Sequence, residues 1–384
     1  MKFLHTSDWH LGRQFHNVSL LEEQKFILEQ LVSLAEQHQV DAVVVAGDIY
    51  DRSVPPAAAV ELLDKVLEEL CGRLGIHVVL ISGNHDSAAR LRFGASRLKS
   101  GGLHIVGQLS ELSQPVILEG SSGQKVQFFG IPYADPEWVR DQFPGQDPSL
   151  LKTHDQAMAF MAEEIAKHKD PAMPSVAVAH CFVVGGVGSE SERPLSIGGA
   201  DQVRACHFEA FDYAALGHLH GPQKQGLETI RYSGSPLKYS FSEQHHQKSV
   251  VLVTMEAGET DIQLIPLTPQ RDMRVIEGEL EALLVAGKDD LHRDDYLMVR
   301  LTDTHAILDP MGKLRSVYPN VLHLERVALQ GDMGSEQQER QARLQQSEMS
   351  MFEDFFSQVQ GDVMNDEQRQ ALQALVTKLH KGDE

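Results

Sequence analysis

Short apolar runs alternate with amphipathic stretches along the first two thirds of the chain. The runs are β-branched or aliphatic and end at turn residues, which is typical of buried strands; they cover 2–7, 42–46, 77–82, 126–131, 176–179, 213–216 and 250–255. Between the first two runs, Leu20, Ile27, Leu31 and Leu34 fall on one helical face. This alternation of strands and helices indicates a layered α/β fold.

A smaller pattern follows Pro266 and Pro269. Predicted strands and helices alternate there over 274–277, 279–286, 296–301, 306–316 and 321–329, which is enough for a compact α+β accessory domain. After a polar stretch, two segments repeat apolar residues at i, i+3, i+4 and i+7 spacing. They predict a C-terminal helix pair with apolar faces at Phe352, Phe355, Phe356 and Val359 and at Leu372, Leu375, Val376 and Leu379.

The composition restricts the class of protein. A chain of 384 residues is too long for one domain of roughly 100–200 residues, so we expect two or three domains. No apolar run reaches the ~20 residues of a membrane span, and the first residues meet a charge too early for a secretory signal. Three distant cysteines exclude a disulfide framework. We expect a cytoplasmic protein with no membrane partner.

The charge balance restricts the partners. A formal net charge of −21 argues against a free-standing nucleic-acid binder of the usual basic kind. Two ways remain for such an acidic protein to bind nucleic acid: some of its carboxylates bind metal ions, or a basic partner supplies part of the contact with the polyanion.

Five predicted strands run directly into residues that bind metal ions. The clusters are Asp8-Trp9-His10, Gly47-Asp48-Ile49-Tyr50-Asp51, Gly83-Asn84-His85-Asp86, His180 and Gly217-His218-Leu219-His220. Because the carboxyl ends of strands in an α/β sheet form one binding crevice, these clusters should converge. Two Asp, one Asn and four His suit Mn²⁺, Fe²⁺ or Zn²⁺. Seven ligands suit two ions that share a carboxylate, which together can activate water and clamp a phosphodiester.

The series D-x-H, GD-x-x-D, GNHD, H and GH-x-H resembles the calcineurin-like metallophosphoesterases over roughly residues 1–240. Residues 5–12, 83–87, 217–220 and 231–243 are more specifically similar to the bacterial SbcD nuclease subunits, and that likeness continues to the tail. The resemblance implies a β-sandwich flanked by helices, a small capping domain and a C-terminal helix pair. The implied domains are a dimetal nuclease domain (1–268), a capping, DNA-binding domain (269–332), and a linker with a partner-binding helix pair (333–384).

The resemblance also assigns roles to residues. It implies one ion held by Asp8, His10, Asp48 and His220, and a second held by Asp48, Asn84, His180 and His218, most simply both Mn²⁺. His85 would contact the phosphate and stabilise the transition state or protonate the leaving oxygen, and Asp51 would orient it. For Asp86, a supporting role behind the ligands and a turn cap are equally open.

A basic island next to the GNHD motif is the candidate for DNA contacts. No acidic residue occurs from 87 to 110, whereas Arg90, Arg92, Arg97 and Lys99 do; Arg90 and Arg97 should share a helical face. Arg13 and Arg52, each just after a ligand cluster, are further candidates. Trp9 suits either base stacking or the core, and the long 182–203 loop suits either a flap near the site or a dimer contact.

The C-terminal tail and the absence of an ATP-binding motif in the sequence indicate a separate ATPase partner. The chain has no phosphate-cradling ATPase loop. SbcD-like proteins use the helix pair to bind the coiled-coil base of an SbcC-type ATPase, so ATP would act only through that partner. The faces Phe352, Phe355 and Phe356, and Leu372, Leu375 and Leu379, would form this contact. The resemblance further implies a homodimer through the nuclease domain and a location at the nucleoid.

The resulting hypothesis is an Mn²⁺-dependent nuclease that degrades double-stranded DNA 3′→5′ and opens hairpins, acting in repair, recombination and fork maintenance. Two alternatives stay open. One is a small-molecule phosphodiesterase or phosphoprotein phosphatase with the same dimetal site. The other is a structural tether in which catalysis is incidental.

Overall fold

The computed structural model describes residues 1–193, 195, 201–327 and 368. Its strands are β1 (Lys2–Thr6), β2 (Gln14–Phe15), β3 (Val18–Ser19), β4 (Ala42–Val45), β5 (His77–Ile81), β6 (Leu103–Val106), β7 (Val116–Glu119), β8 (Lys125–Ile131), β9 (Ser175–His180), β10 (Phe182–Val183), β11 (Gln202–Val203), β12 (Tyr213–Gly217), β13 (Gln223–Gln225), β14 (Leu227–Tyr232), β15 (Ser249–Glu256), β16 (Glu259–Pro266), β17 (Met273–Gly278), β18 (Tyr296–Leu301) and β19 (Val321–Arg326). Its α-helices are α1 (Leu21–Gln37), α2 (Ala57–Leu67), α3 (Ala88–Leu91), α4 (Ala95–Leu98), α5 (Pro136–Gln142), α6 (His154–Ala166), α7 (Leu280–Ala286) and α8 (Pro310–Arg315).

Two six-stranded sheets form the larger part of the described chain. One has the order β16-β15-β1-β4-β5-β6 and the other the order β13-β14-β12-β9-β8-β7. In the first sheet β1, β4, β5 and β6 are parallel, and in the second β8, β9, β12 and β14 are parallel. Parallel neighbours end at the same edge of a sheet, so the residues that follow them are brought together.

The two sheets pack face to face. Phe3 and Val44 of the first sheet and Phe128 and Tyr213 of the second belong to one buried cluster. On the outer faces, α1 and α2 cover the first sheet, and α5 and α6 cover the second. The central strands are buried on both faces, which explains why they appear in the sequence as continuous apolar runs. The predicted α/β class, a layered β-sandwich flanked by helices, is confirmed.

The described chain divides into two compact units. The first comprises Met1–Val275, Leu291–Met298 and Tyr318–His323, and the second Ile276–Asp290, Val299–Val317 and 324–327. Strands β17, β18 and β19 form a three-stranded sheet in that order. Strands and helices thus alternate in this region as the sequence pattern predicts, whereas the domain boundaries at 268/269 and 332/333 stay a prediction. The predicted C-terminal helix pair lies outside the described residues.

Two sequence predictions about helices are wrong in detail. The helix expected from residue 306 begins only at Pro310, because Asp309 caps it by accepting a hydrogen bond from the Gly312 amide at 3.0 Å. Arg90 and Arg97 do not share one continuous helical face, because Gly94, with a φ of 75°, separates α3 from α4. Glycine adopts this left-handed backbone without the steric cost that other residues meet.

Inter-sheet packing predicts a large loss of stability for Phe3→Ala. The Phe3 ring is fully buried and meets the rings of Phe128 and Tyr213 edge-on, at centroid distances of 5.5 and 5.8 Å. The cavity left by its removal should lower the free energy of unfolding by about 3–5 kcal/mol in urea denaturation. The control Phe93→Ala, at a side chain that is 88% exposed, should change it by less than about 0.5 kcal/mol. Equal losses in the two variants would contradict this account of the core.

Candidate metal centre

The polar clusters that follow the central strands meet at one edge of the sandwich. The Asp8 amide donates to the Gly47 carbonyl at 3.0 Å, and the His10 amide donates to the Asp48 carbonyl at 2.9 Å. Across the sandwich, the His218 amide donates to both carboxylate oxygens of Asp8 at 3.0 and 3.1 Å. Loops of both sheets therefore build a single site.

The carboxylate of Asp48 lies at the centre of this site. Its Oδ2 is 3.4 Å from Nε2 of His180, 3.7 Å from Nε2 of His10 and 4.0 Å from Nε2 of His85. Its Oδ1 accepts a hydrogen bond from the His85 amide at 2.9 Å. Asp48 thus lies between the imidazoles of His10, His85 and His180.

On one side of Asp48 lie Asp8, His10 and His220. The Nε2 atoms of His10 and His220 are 3.1 Å apart. One ligand atom from each of these three residues lies within 4.8 Å of the others, and the same holds for Asp8, Asp48 and His180. Asp8 therefore belongs to both groups.

On the other side lie His180, Asn84 and His218. The Nδ1 of His180 donates to the Ala46 carbonyl at 2.9 Å, and its Nε2 is 3.0 Å from Oδ1 of Asn84. The His218 ring centroid lies 5.5 Å from that of His180. All seven predicted ligands are therefore brought together.

The chemistry of this cluster fits divalent metal ions. The side chains of Asp8 and Asp48 are buried, and so are the four histidines. Buried carboxylates are costly unless they are paired or bind cations. Among the described residues, the buried Nδ1 atom of His10 has no hydrogen-bond partner and lies 3.8 Å from the Asp51 carboxylate. Imidazole nitrogens with carboxylate and amide oxygens suit borderline divalent ions.

Burial and mutual charge shift the pKa values of the groups in this cluster. Burial raises the pKa of Asp8 to about 6. Burial also opposes ionisation of Asp48, but the neighbouring imidazoles, His180 first, hold the pKa of Asp48 well below its usual value. Burial would lower the pKa of His180, yet the charge and hydrogen bond of Asp48 outweigh it and raise that pKa to about 9. A metal ion must displace these protons to bind.

The backbone at the ligand positions is strained. Asp8, His10, Asp48 and His218 have positive φ angles of 54°, 45°, 50° and 111°. Such angles are unfavourable for residues with a side chain and concentrate at functional sites, where the surrounding structure enforces them. The strain shows that the fold holds these four side chains in a set arrangement.

Glycines in the motifs allow the close approach of the loops. A Cβ atom on Gly83 would lie 2.2 Å from Oδ1 of Asp48, and one on Gly217 would lie 1.9 Å from the Ala46 carbonyl oxygen. Neither position has room for a side chain.

His85 and Asp51 are in contact, but through the main chain. The Nδ1 of His85 donates to the backbone carbonyl of Asp51 at 2.7 Å. The Asp51 carboxylate instead lies 3.8 Å from Nδ1 of His10 and 3.4 Å from Nη1 of Arg13. His85 therefore has a fixed tautomer whose Nε2 faces Asp48.

Asp86 braces the two central loops. Its carboxylate accepts hydrogen bonds from the amides of Ile49 and Gly83 at 3.0 Å and of Tyr50 at 2.9 Å. Burial and the charge of Asp48 raise the pKa of Asp86 to about 7. Of the alternatives open for Asp86, the supporting role is the one that the geometry favours.

Of the alternatives open for Trp9, the structure favours the core. The side chain of Trp9 is buried, and its Nε1 donates a hydrogen bond to Thr6 Oγ1 at 3.0 Å.

The predicted DNA-contact residues fall into two groups. The guanidinium of Arg13 is largely buried, donates to the Ser191 carbonyl at 3.0 Å and lies 5.0 Å from the Tyr239 ring centroid. Arg92 pairs with Glu111 at 2.8 Å. The exposed cations are Arg52, Arg90, Arg97 and Lys99. The predicted partner-binding residues of the tail lie outside the described part of the chain.

Four further residues line the back of the site: Ser191 and Glu192, in the 182–203 loop for which a flap near the site is one of the two predicted alternatives, and Glu243 and Lys248. Ser191 and Glu192 contact His220, and a buried ion pair joins Glu243 to Lys248 at 2.6 Å. Burial would raise the pKa of Glu243, but the Lys248 ammonium and His220 hold that pKa well below its usual value. These residues lie in polar stretches of the sequence, which carry no apolar pattern that would mark them as buried.

The sequence matches two family models and a curated relative. A family model described as calcineurin-like phosphoesterase matches residues 1–222, and one described as type 5 capsule protein repressor C-terminal domain (SbcD_C) matches residues 269–360. The SbcD subunit of the nuclease SbcCD from Staphylococcus epidermidis is 36% identical over 368 residues, covering 94% of this chain and 96% of the relative.

Two solved structures are also similar to part of the chain. A dimetal phosphatase from Danio rerio is 11% identical, with a TM-score of 0.41, over 70% of this chain and 98% of that one. A protein of Thermus thermophilus is 12% identical, with a TM-score of 0.40, over 68% of this chain and 98% of that one.

None of the helices in the described ranges is both long and apolar enough to cross a membrane.

The close approach at Gly83 predicts that Gly83→Ala disrupts the centre. The added methyl group must push Asp48 aside, so bound metal should fall and the free energy of unfolding should drop by about 1–3 kcal/mol. Elemental analysis and urea denaturation measure the two effects. The control is Gly101→Ala, where a Cβ would meet no atom of the described residues within 4 Å. Undiminished metal content in Gly83→Ala would contradict the described packing.

Proposed function

Because the chain belongs to the calcineurin-like phosphoesterases and, among them, to the SbcD subunits of SbcCD nucleases, we propose that it is an Mn²⁺-dependent nuclease for double-stranded DNA. Membership makes it a metal-dependent hydrolase of phosphodiester bonds. The proposal adds 3′→5′ exonuclease activity, endonuclease activity on hairpins, and a role with an SbcC-type ATPase in DNA repair, recombination and replication-fork maintenance.

The proposed metal ligands form two sets that share Asp48. The distances from Asp48 Oδ2 to His10 and to His180 support a bridging position. The first set is Asp8, His10, Asp48 and His220, and the second is Asp48, Asn84, His180 and His218. When bound, two divalent ions would activate water at neutral pH and neutralise charge on the phosphate. Mn²⁺ accepts this mixture of carboxylate, amide and imidazole ligands.

His85 is the proposed catalytic acid. Its Nδ1 is committed to the Asp51 carbonyl, so only Nε2 can exchange a proton with substrate. Burial lowers the pKa of His85, but an anionic phosphodiester next to Nε2 would favour the protonated ring. The protonated ring then donates to a phosphate oxygen or to the leaving oxygen. The main chain of Asp51 contributes by fixing the ring.

The exposed cations of the predicted set are the proposed DNA contacts. Arg52, Arg90, Arg97 and Lys99 are free of the burial that characterises Arg13, so their charges can reach phosphate oxygens. Arg13 and Arg92 already face carboxylates and contribute less under this proposal. A net charge of −21 makes the metal ions and a DNA-binding partner necessary for affinity.

The proposed partners are those that the family resemblance implies. An SbcC-type coiled-coil ATPase would bind the tail, ATP would act only through it, and the nuclease domains would form a homodimer. We place the complex in the cytoplasm at the nucleoid, where its substrate lies.

The observation that carries the proposal is the central Asp48 carboxylate with His85 Nε2 facing it 4.0 Å away. Asp48→Ala should lose bound metal together with activity. His85→Gln should keep its metal and lose about 10²–10⁴-fold in hydrolysis of blunt duplex and hairpin DNA with Mn²⁺. Metal content by elemental analysis and rates on both substrates distinguish the two variants.

His245→Gln, at an exposed histidine, is the matched control for His85→Gln and should keep full activity. Equal loss of metal in His85→Gln and Asp48→Ala would refute the division of roles. Hydrolysis of cyclic nucleotides or phosphopeptides without hydrolysis of DNA would favour a phosphatase instead.

The tail assignment predicts a separable loss of partner binding. Changing Phe352, Phe355 and Phe356 to Ser in the full chain should abolish co-purification with the ATPase, because the predicted helix pair would lose the aromatic residues proposed to dock on the partner. Mn²⁺-dependent hydrolysis of short duplex DNA should persist. Phe93→Ser removes an exposed aromatic side chain elsewhere and should leave co-purification intact. Retained partner binding in the triple variant would overturn the assignment.

A further inference from the structure

The histidines on the two sides of Asp48 are oriented by different parts of the molecule. Nδ1 of His180 donates to the Ala46 carbonyl at 2.9 Å, directly after β4. Nδ1 of His220 instead lies 2.5 Å from the hydroxyl of Ser191, in the connection between β10 and β11. The main chain of a buried sheet therefore holds one ring, and a loop side chain holds the other.

Ser191 links His220 to a buried ion pair. Nε2 of His220 faces Nε2 of His10 at 3.1 Å, so the proton of His220 belongs on Nδ1 when Nε2 binds a cation. Nδ1 then donates to Ser191 Oγ, and the Ser191 hydroxyl donates to Oε1 of Glu243. Oε2 of Glu243 accepts from the Lys248 ammonium at 2.6 Å. Each donor in this series of hydrogen bonds from His220 to Lys248 therefore meets an acceptor.

The segment 187–192 is built to hold Ser191 in place. Val187 exchanges two hydrogen bonds of 2.9 Å with the Gln223 amide. Oε1 of Glu192 accepts from the His220 amide at 2.8 Å, and its Oε2 accepts from Ser189 Oγ at 2.8 Å. The Ser191 carbonyl accepts from Arg13 at 3.0 Å. Contacts on both sides of Ser191 thus fix the segment against His220.

We infer that Ser191 and Glu192 are positioning residues for only one of the two metal ions, the ion that His220 would hold. The inference rests on the proposed two-ion site. Without the Ser191 hydroxyl, Nδ1 of His220 loses its near acceptor at 2.5 Å and keeps only Oε1 of Glu243 at 3.5 Å, so the ring is held less firmly, and Glu243 loses a donor. The His180 ring keeps the Ala46 carbonyl, so the second ion should be unaffected.

Mn²⁺ titration of the metal-free full-length chain tests the inference. Calorimetry gives the affinity of each site, and electron paramagnetic resonance separates a spin-coupled pair from isolated Mn²⁺. Ser191→Ala should weaken one site by about 10–100-fold, the usual effect of removing a group that orients a metal ligand. At intermediate Mn²⁺ it should show isolated ions where the unmodified chain shows coupled pairs. Glu192→Ala should act in the same direction.

Ser191→Thr, which keeps a hydroxyl, should restore the weakened site. Glu190→Ala removes an exposed carboxylate from the same segment and should leave both affinities unchanged. Two unchanged affinities in Ser191→Ala, or equal weakening of both sites, would overturn the inference. An unmodified chain that binds fewer than two ions would instead overturn the proposed function, so the two failures are distinguishable.

Discussion

The buried charge of Asp48 is the constraint on which the rest of the site depends. Its Oδ2 faces a ring from the first sheet, His10, and a ring from the second, His180. A carboxylate removed from water is stable only where fixed partners surround it. The surrounding loops therefore have little freedom: the backbone of Asp8 and His218 is held at positive φ, and Gly83 and Gly217 pack without room for a side chain.

Much of this arrangement could be predicted from the sequence, for physical reasons. Strands buried on both faces leave continuous apolar runs, so β1, β4 and β9 are visible as such. A polar cluster directly after such a run marks a strand end, and parallel topology brings strand ends together. The edge strand β16 was not predicted, because its residues alternate between partly buried and exposed and form no apolar run. It follows a turn in which Ala257 has a φ of 53°.

Contacts that depend on tertiary structure alone could not be predicted. Ser191 and Glu243 are 52 positions apart in the sequence, and each sits among polar residues that resemble a solvated surface. The GD-x-x-D pattern suggested a carboxylate behind His85, whereas a main-chain carbonyl fills that position. Because every residue carries a carbonyl, the sequence at Asp51 cannot reveal which group of that residue is used.

The ligands come from both sheets, and this has a consequence beyond chemistry. Asp8 and Asp48 follow strands of one sheet, while His180 ends a strand of the other sheet and His218 follows one. Any cation held among them cross-links the two layers of the sandwich and favours the folded chain by mass action. Removing the cation with a chelator would then lower the free energy of unfolding of the sandwich. The supply of metal in the cell would affect the stability of the protein as well as its activity.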